Sequence, residues 1–404
     1  MSAREPQRRS APMNVQALEH IWGEACESEW ARAAREARAS GKPIFDLVNA
    51  SPLEHGLEYP AALLHEIFSD ASAALGAYAP DAKGQFAARL AIAQYHGSDV
   101  DPGNILLTPG TSLSYYYAFR ALAAGGEEIL CPSPSYPLFE DIATLAGVRL
   151  RHYHLQPPIT GWHWHFDLDD LLFQITPQTR AIVLVSPHNP TGSVHSAQEL
   201  AAICQAAQKH NLALIFDEVF RESVHQPGVT VNRPTQYDPP LCITINGLSK
   251  MLSLPGLKAG WMVVEGAPDR KQSFLNTCEY LSDTLLCVSE ITQHVLPKLM
   301  HHLPAISTEL RAKLTSRMRE FARAWNEAGF SVQLPEAGPY LCVPIPAAWR
   351  GRDEEASVLL AREGILLHAG SAYGIPVPAL VTTCIASPPW PLGRIAAALL
   401  GPFS

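Results

Sequence analysis

The chain has 404 residues, and 30 Lys and Arg against 39 Asp and Glu leave a net charge of −9. That acidity excludes the basic footprint of a nucleic-acid binder, and no run approaches the ~18 consecutive apolar residues of a membrane-spanning helix. The polar opening, Met1 to Pro12, lacks the apolar core of a secretory signal, and eight scattered cysteines without a CxxC pair read as reduced, mostly buried thiols of a cytoplasmic protein.

The length suits two or three domains. Residues 1–14 read as a flexible lead. An amphipathic helix is expected over 15–39, with Leu18, Ile21 and Trp22 on one face. A stretch rich in Pro, Gly and Ser follows over 41–60 and encloses the short apolar segment 44–48. Two helices are expected over 61–97, interrupted at Tyr78-Ala79-Pro80-Asp81. The character then changes. Short apolar runs at 105–107, 129–131, 181–186, 212–216 and 241–245 alternate with helical stretches, notably 111–124 and 138–146. Two-sided apolar strands alternating with helices predict a parallel sheet, placed at residues 100–265. Long helical patterns return at 270–300 and 308–328, and strands of a smaller α+β unit are expected at 331–334, 340–345 and 381–385.

Five features fall at strand ends, where open α/β sheets bind ligands. Thr108-Pro109-Gly110-Thr111-Ser112 joins a strand to a helix; its free N–H groups and hydroxyls suit a phosphate, though a plain capped turn has the same composition. Tyr136 sits in a proline-braced loop, as an aromatic wall for a planar ligand or as a core residue. Ser186-Pro187-His188-Asn189-Pro190-Thr191-Gly192 is a turn that can also offer the Asn189 amide to a ligand oxygen. Asp217 ends a fully apolar strand, where an acid needs a partner such as a helix N-terminus or a protonated pyridine nitrogen. Lys250, in Asn246-Gly247-Leu248-Ser249-Lys250, is placed to form a Schiff base with an aldehyde cofactor, and Lys258 follows eight residues later, ahead of Ala259-Gly260-Trp261.

Singly these are ordinary turns and surface residues. In this order, with 28 positions from Asn189 to Asp217 and 33 from Asp217 to Lys250, the chain from about residue 47 to 386 resembles the class I/II aminotransferases, fold-type I pyridoxal-phosphate enzymes. The resemblance implies an α/β fold with a mostly parallel seven-stranded sheet in a large domain (50–290), and a smaller α+β domain joining 1–49 to 291–404. It implies Lys250 as the Schiff-base lysine and proton shuttle, Asp217 on the pyridinium, Asn189 on the ring oxygen and Tyr136 stacked on the ring. Gly110, Thr111, Ser112, Ser249 and Lys258 would hold the phosphate. Tyr78 resembles the family tyrosine that reaches the neighbouring subunit's phosphate, which implies a homodimer with shared active sites. Residues 47–56 match the N-terminal loop over the substrate, and Gly338-Pro339-Tyr340 and 369–374 match small-domain landmarks.

Three positions depart from the family pattern. Phe220 stands where a tyrosine normally donates to the ring oxygen, which implies a raised Schiff-base pKa. Gly247 replaces a phosphate-binding serine, whose role Ser249 is a candidate to take. Thr382 replaces the arginine that holds the substrate carboxylate, a clamp threonine cannot reproduce. Thr382, Glu54, His55 and Glu58 are therefore candidates for substrate contact. Amino transfer is the leading function. The missing arginine leaves open another pyridoxal-phosphate reaction: elimination, replacement, cyclisation or oxidation in a biosynthetic pathway. His152-Tyr153-His154 and His163-Trp164-His165 put paired imidazoles on strand faces without acid or thiol partners at ligand spacing, so no metal is expected.

Overall fold

The computed structural model describes residues 27–401, apart from 52, 57–58, 77–79, 159–162 and 384. The expected lead and the first part of the expected helix, residues 15–26, lie outside the described residues, as do Tyr78 and Glu58. In chain order the elements are α1 (Glu29–Ala39), β1 (Phe45–Asp46), α2 (Ala61–Phe68), α3 (Phe86–His96), β2 (Ile105–Thr108), α4 (Thr111–Leu122), β3 (Glu128–Ser133), α5 (Leu138–Ala146), β4 (Arg149–Gln156), β5 (His165–Phe166), α6 (Leu168–Gln174), β6 (Thr179–Val185) and α7 (Ala197–His210). They continue with β7 (Ala213–Asp217), β8 (Leu241–Gly247), α8 (Leu248–Met251), β9 (Gly260–Gly266), α9 (Pro268–Leu285), α10 (Glu290–Glu327), β10 (Tyr340–Pro344), α11 (Asp353–Arg362), β11 (Ile365–Leu366), β12 (His368–Ala369), β13 (Ala379–Thr383) and α12 (Leu392–Leu399).

The main sheet has the order β2-β9-β8-β7-β6-β3-β4-β5. Seven of these strands form the expected sheet; the eighth, β5, is a two-residue antiparallel addition to the edge strand β4. β9 runs antiparallel to both its neighbours, so β2, β8, β7, β6, β3 and β4 share one direction. The central strands are buried on both faces. Ile129, Val183, Ile215 and Ile243 pack into one core layer, while Leu130, Ile182, Leu214 and Cys242 pack into the opposite one. This explains their continuous apolar runs.

A second core lies under β10, β13, α11 and α12, and it takes in Leu47 from the N-terminal segment. The helix α10 serves two cores: Leu296 and Leu299 pack beside Trp261, whereas Met318, Phe321 and Trp325 join the C-terminal core. The helix carries Pro297 and Pro304 inside it, so the expected gap over 301–307 does not occur. The break comes instead before α10, where Leu286 takes a φ of 74°. The expected strand at 331–334 also does not form. The Asn326 side chain occupies both backbone groups of Val332, accepting from its N–H at 2.9 Å and donating to its carbonyl at 2.9 Å. A ladder has nothing left to pair with there.

The turn after β6 is locked to the start of the C-terminal core. Ala337 donates to the Gly192 carbonyl at 3.0 Å, and Gly192 has a φ of 72° with its α-carbon pressed against the Ala337 carbonyl, 2.3 Å from where a Cβ would stand. Gly192→Ala therefore meets both a disfavoured backbone angle and a backbone clash. We expect it to lower unfolding stability by at least about 2 kcal/mol in urea titration; a neutral result would show that the two segments separate freely.

Candidate active site

The carboxyl ends of β2, β8, β7, β6 and β3 meet at one edge of the sheet, and each carries one of the sequence candidates. β2 leads through Gly110 into α4, β8 into Lys250, β7 ends on Asp217, β6 runs into Asn189 and β3 into Tyr136. The register sets Asp217 beside Val185 on one side and Ile245 on the other.

Asp217 is 7% exposed. Its Oδ2 accepts from the Tyr115 hydroxyl at 2.6 Å and its Oδ1 from the Val219 N–H at 2.9 Å. Burial pushes its pKa up to about 6, against the lowering effect of these two hydrogen bonds and of the Lys250 charge. Lys250 is exposed to solvent, yet desolvation by the surrounding protein draws its ammonium below the ordinary lysine value; the Asp217 charge acts the other way. Tyr136 is half-buried, edge-on to Phe139 with ring centroids 5.7 Å apart, and its phenol is raised by burial and then by the Asp217 charge. Asn189 is buried, and its Oδ1 has no hydrogen-bond partner. An unsatisfied buried amide at a sheet's ligand edge is a place for a ligand polar group.

Glu218, next to Asp217, is fully buried and holds the turn. Arg233 meets it with two hydrogen bonds of 2.7 Å, Arg221 donates at 3.2 Å and the Asn246 amide at 3.3 Å. Burial favours its neutral form, but the Arg233 hydrogen bond and charge outweigh this and keep it below the usual carboxylate range. Glu218 follows Asp217 at the strand end that the sequence singles out, but its ion-pair role, Arg233 and Tyr115 were not foreseen from the sequence. Tyr115 lies one helical turn beyond Thr111, a spacing that places it on the sheet-facing side of α4.

Gly110 caps α4, whose first N–H groups have no intrahelical acceptor. This turn is packed very closely. A Cβ on Gly260 would stand 2.9 Å from the Thr111 nitrogen, and one on Gly247 would stand 2.9 Å from the Ala259 carbonyl and 3.2 Å from the Thr111 side chain. The glycine at 247 is thus a packing requirement here, and a serine would have to displace backbone. Ser249 is half-buried, and Lys258 is exposed at the chain's approach to Gly260.

The substrate-side candidates are placed differently. Thr382 is 1% exposed, in mid-strand, and its hydroxyl donates to the Leu47 carbonyl at 2.8 Å, so it offers nothing to a substrate. The buried Phe220 turns its ring edge toward Tyr340, with centroids 6.0 Å apart. Glu54 and His55 are committed to closing their own loop: Asn49 donates its amide to Glu54, and His55 Nε2 bonds the Asn49 carbonyl at 2.9 Å. Three of the paired-imidazole histidines meet carboxylates: His152 with Glu140 at 3.4 Å, His154 with Asp170 at 3.1 Å and His163 with Glu336 at 2.9 Å. No helix among the described residues is long and apolar enough to cross a membrane.

The chain matches the family model for aminotransferase class I and II over residues 59–397. It is 30% identical over 358 residues to the glutamate-pyruvate aminotransferase AlaA of Escherichia coli (strain K12), covering 86% of this chain and 87% of the relative. It is also 30% identical over 360 residues to the alanine aminotransferase of Mycobacterium bovis (strain ATCC BAA-935 / AF2122/97), covering 85% and 82%. The crystal structure of an aminotransferase from Escherichia coli superposes with a TM-score of 0.82 at 26% identity, over 94% of this chain and 95% of the other.

The raised pKa of Asp217 is linked to stability. In the cofactor-free protein the folded state holds this proton more tightly than the unfolded chain, so the contribution is full below the ordinary carboxylate pKa and is lost as pH rises through about 6. Urea unfolding at pH 4 and pH 7 should show the wild type losing on the order of 3 kcal/mol relative to Asp217→Asn. A difference that does not change with pH would mean that the carboxyl is not desolvated.

Proposed function

This chain belongs to the class I and II aminotransferases, and we propose that Lys250 is the base through which it moves an amino group from an amino acid to a 2-oxo acid. Enzymes of this family use pyridoxal phosphate, and the chain is a pyridoxal-phosphate-dependent aminotransferase. The cofactor fits the residues present: a buried acid for its ring nitrogen, the buried Asn189 amide, a lysine whose ammonium is held below its ordinary pKa and a glycine-capped helix N-terminus for its phosphate. When bound, it accepts the substrate amine and draws off the electron pair left at Cα.

The roles of the side chains follow from their surroundings. Asp217 would hold the ring nitrogen protonated, with Tyr115 fixing the orientation of its carboxylate. Asn189 would donate to the ring oxygen, and Tyr136 would form a wall of the ring's pocket. Gly110, Thr111 and Ser112 would hold the phosphate with their backbone and hydroxyl donors; Ser249 and Lys258 would add a hydroxyl and a charge. Lys250 Nζ takes the substrate's Cα proton; desolvation favours the neutral amine that this step requires. The observation that carries the reading is the meeting of Asp217 and Lys250 at the ends of adjacent strands, each shifting the other's charge.

The names of the 30% identical relatives support glutamate, alanine and pyruvate as the first substrates to test. Thr382 brings no cation to the donor's carboxylate, so another group would meet it. A homodimer is supported by exposed apolar side chains, Leu75 ahead of α3, Phe86 and Leu90 on α3, and Tyr280 and Leu286 on and just after α9; a cytoplasmic location would accord with the cysteines among the described residues, which are free and mostly buried.

The test is turnover of L-glutamate with pyruvate, with products read by mass, alongside L-alanine and the corresponding amines. Lys250→Ala is expected to lower kcat by at least about 10³-fold. Wild-type kcat retained in the variant would assign the proton transfer to another group.

A further inference from the structure

The second half of α10 carries a row of polar side chains at intervals of four, Arg311, Thr315, Arg319 and Arg323, which follow one ridge of the helix. Arg317 is out of phase with them. It donates to the His55 and Ile385 carbonyls at 2.9 and 2.7 Å. The row walls a cleft of about 590 Å³ whose opposite side is Val224 and His225, on the connection from β7 to β8. A second cleft of about 450 Å³ shares Val224, His225 and Arg311 with it and runs on past Gln226 and Thr230. The base of the first cleft is firmly built. His225 is buried; its Nε2 bonds the Gly338 carbonyl at 2.6 Å and its Nδ1 the Thr315 hydroxyl at 2.9 Å, and its backbone N–H donates to the Glu336 carbonyl at 2.8 Å. Burial lowers the imidazole pKa, the Gly338 hydrogen bond raises it, and the Arg319 charge lowers it again, so that guanidinium acts on the base of the cleft.

The charge here is one-sided. Arg311, Arg319 and Arg323 are exposed and form no ion pair among the described residues. Other cations on exposed helix faces are matched: Lys313 with Glu309 at 2.7 Å, Lys298 with Asp70 at 2.7 Å and Arg352 with Glu355 at 2.6 Å. The carboxylates that line the two clefts have other partners. Tyr95 donates to Glu222 at 2.8 Å and Ser316 to Glu320 at 3.4 Å. Arg221, at the edge of the second cleft, is taken up by Glu218. Arg319 and Arg323 stand one helical turn apart, where like charges repel. A repulsion left uncompensated in a chain of net charge −9 is relieved by an anion that sits between the guanidiniums.

We propose that this cleft is a binding site for a small soluble polyanion, a molecule with three or more negative charges carried on phosphate or carboxylate groups. Guanidinium forks match both groups, and they do so in pairs of parallel hydrogen bonds. Twelve positions of helix separate Arg311 from Arg323, roughly 18 Å along the axis, so one acidic group cannot meet all three arginines. The concave shape and the volume are those of a small-molecule site, roughly 300–1,000 Å³, rather than of a flat protein interface. The site shares no residue with the Lys250 edge of the sheet and stands independently of the aminotransferase reading. It lies where two cores meet. The arginine row belongs to the part of α10 held by Leu314, Met318 and Phe321 in the C-terminal core, whereas the β7–β8 connection is anchored by Val231 in the core of the main sheet. A ligand held between them stabilises the folded chain in proportion to its affinity.

The experiment is calorimetric titration of the holoenzyme, whose cofactor phosphate site is already filled, with tripolyphosphate and with citrate. The proteins are the wild type, Arg319→Gln, Arg323→Gln and, as a control, Arg35→Gln, which changes an equally exposed arginine paired with Glu27 on α1. At about 50 mM salt the wild type is expected to bind one anion per chain, and about 200 mM salt should weaken it several-fold. Each cleft variant should lose at least about tenfold in affinity, with Arg35→Gln within about twofold of the wild type. The tighter of the two probes assigns the site to phosphate or to carboxylate groups. Unfolding midpoints without anion check that the variants remain folded, and the rise of the midpoint on adding the tighter probe should disappear in Arg319→Gln. Absence of binding by both probes up to about 5 mM overturns the proposal. So does binding that the cleft variants leave unchanged, and so does an equal loss in Arg35→Gln, which would make the attraction one of overall charge. Binding of poly-L-glutamate with neither small anion also overturns it and marks the face as a surface for acidic polypeptide.

Discussion

Asp217 stands at the end of a strand buried on both faces, where a carboxylate without a partner costs several kcal/mol. The residues around it are arranged by that cost. Tyr115 reaches across from α4 to donate to it, the Val219 N–H turns back onto it, and Lys250 stands within reach of its charge from the next strand end. Glu218 adds a second buried acid directly beside it, which is tolerable only because Arg233 and Arg221 neutralise it. Each of these contacts fixes a piece of backbone at the same edge of the sheet. The site is rigid because the charges at its floor cannot be left unmatched.

The close packing of Gly247 and Gly260 against the α4 turn is the steric counterpart of this electrostatic constraint. It sets the height of the helix N-terminus above the strand ends. It also explains one departure from the family pattern, since the space a serine would need at 247 is taken by the Ala259 carbonyl and Thr111. The second departure, Thr382, is likewise put to structural use, as a fastening for the N-terminal segment.

Much of this was legible in the sequence because strand-end chemistry is local. Asn189, Asp217 and Lys250 each follow an apolar run, and the runs are parallel neighbours in the sheet, so order along the chain translates directly into convergence in space. The parts that were not legible depend on side chains meeting across long separations. Asn326 removes Val332 from any ladder, although the run 331–334 is apolar enough to be a strand. Pro297 and Pro304 look like helix ends, yet packing on two cores carries α10 through both. Arg317 reads as one of many surface arginines until His55 and Ile385 are seen beside it. Glu54 and His55 look free in a polar loop, and their closure onto Asn49 has no sequence pattern of its own.

The C-terminal core has one further property, which concerns the time at which it can form. Its layer includes Leu47, its strand β1 pairs in parallel with β11, and the Leu47 carbonyl waits for Thr382 and Thr383 near the other end of the chain. During synthesis this N-terminal segment is made before β11 and β13, and Thr382 follows Leu47 only 335 positions later. The main sheet repeats this pattern on a shorter scale, because β2 pairs with β9, the last of its strands to be made. A chain cut short before β13 would therefore carry the whole ligand edge of the main sheet and still leave the Leu47 carbonyl without Thr382 and Thr383.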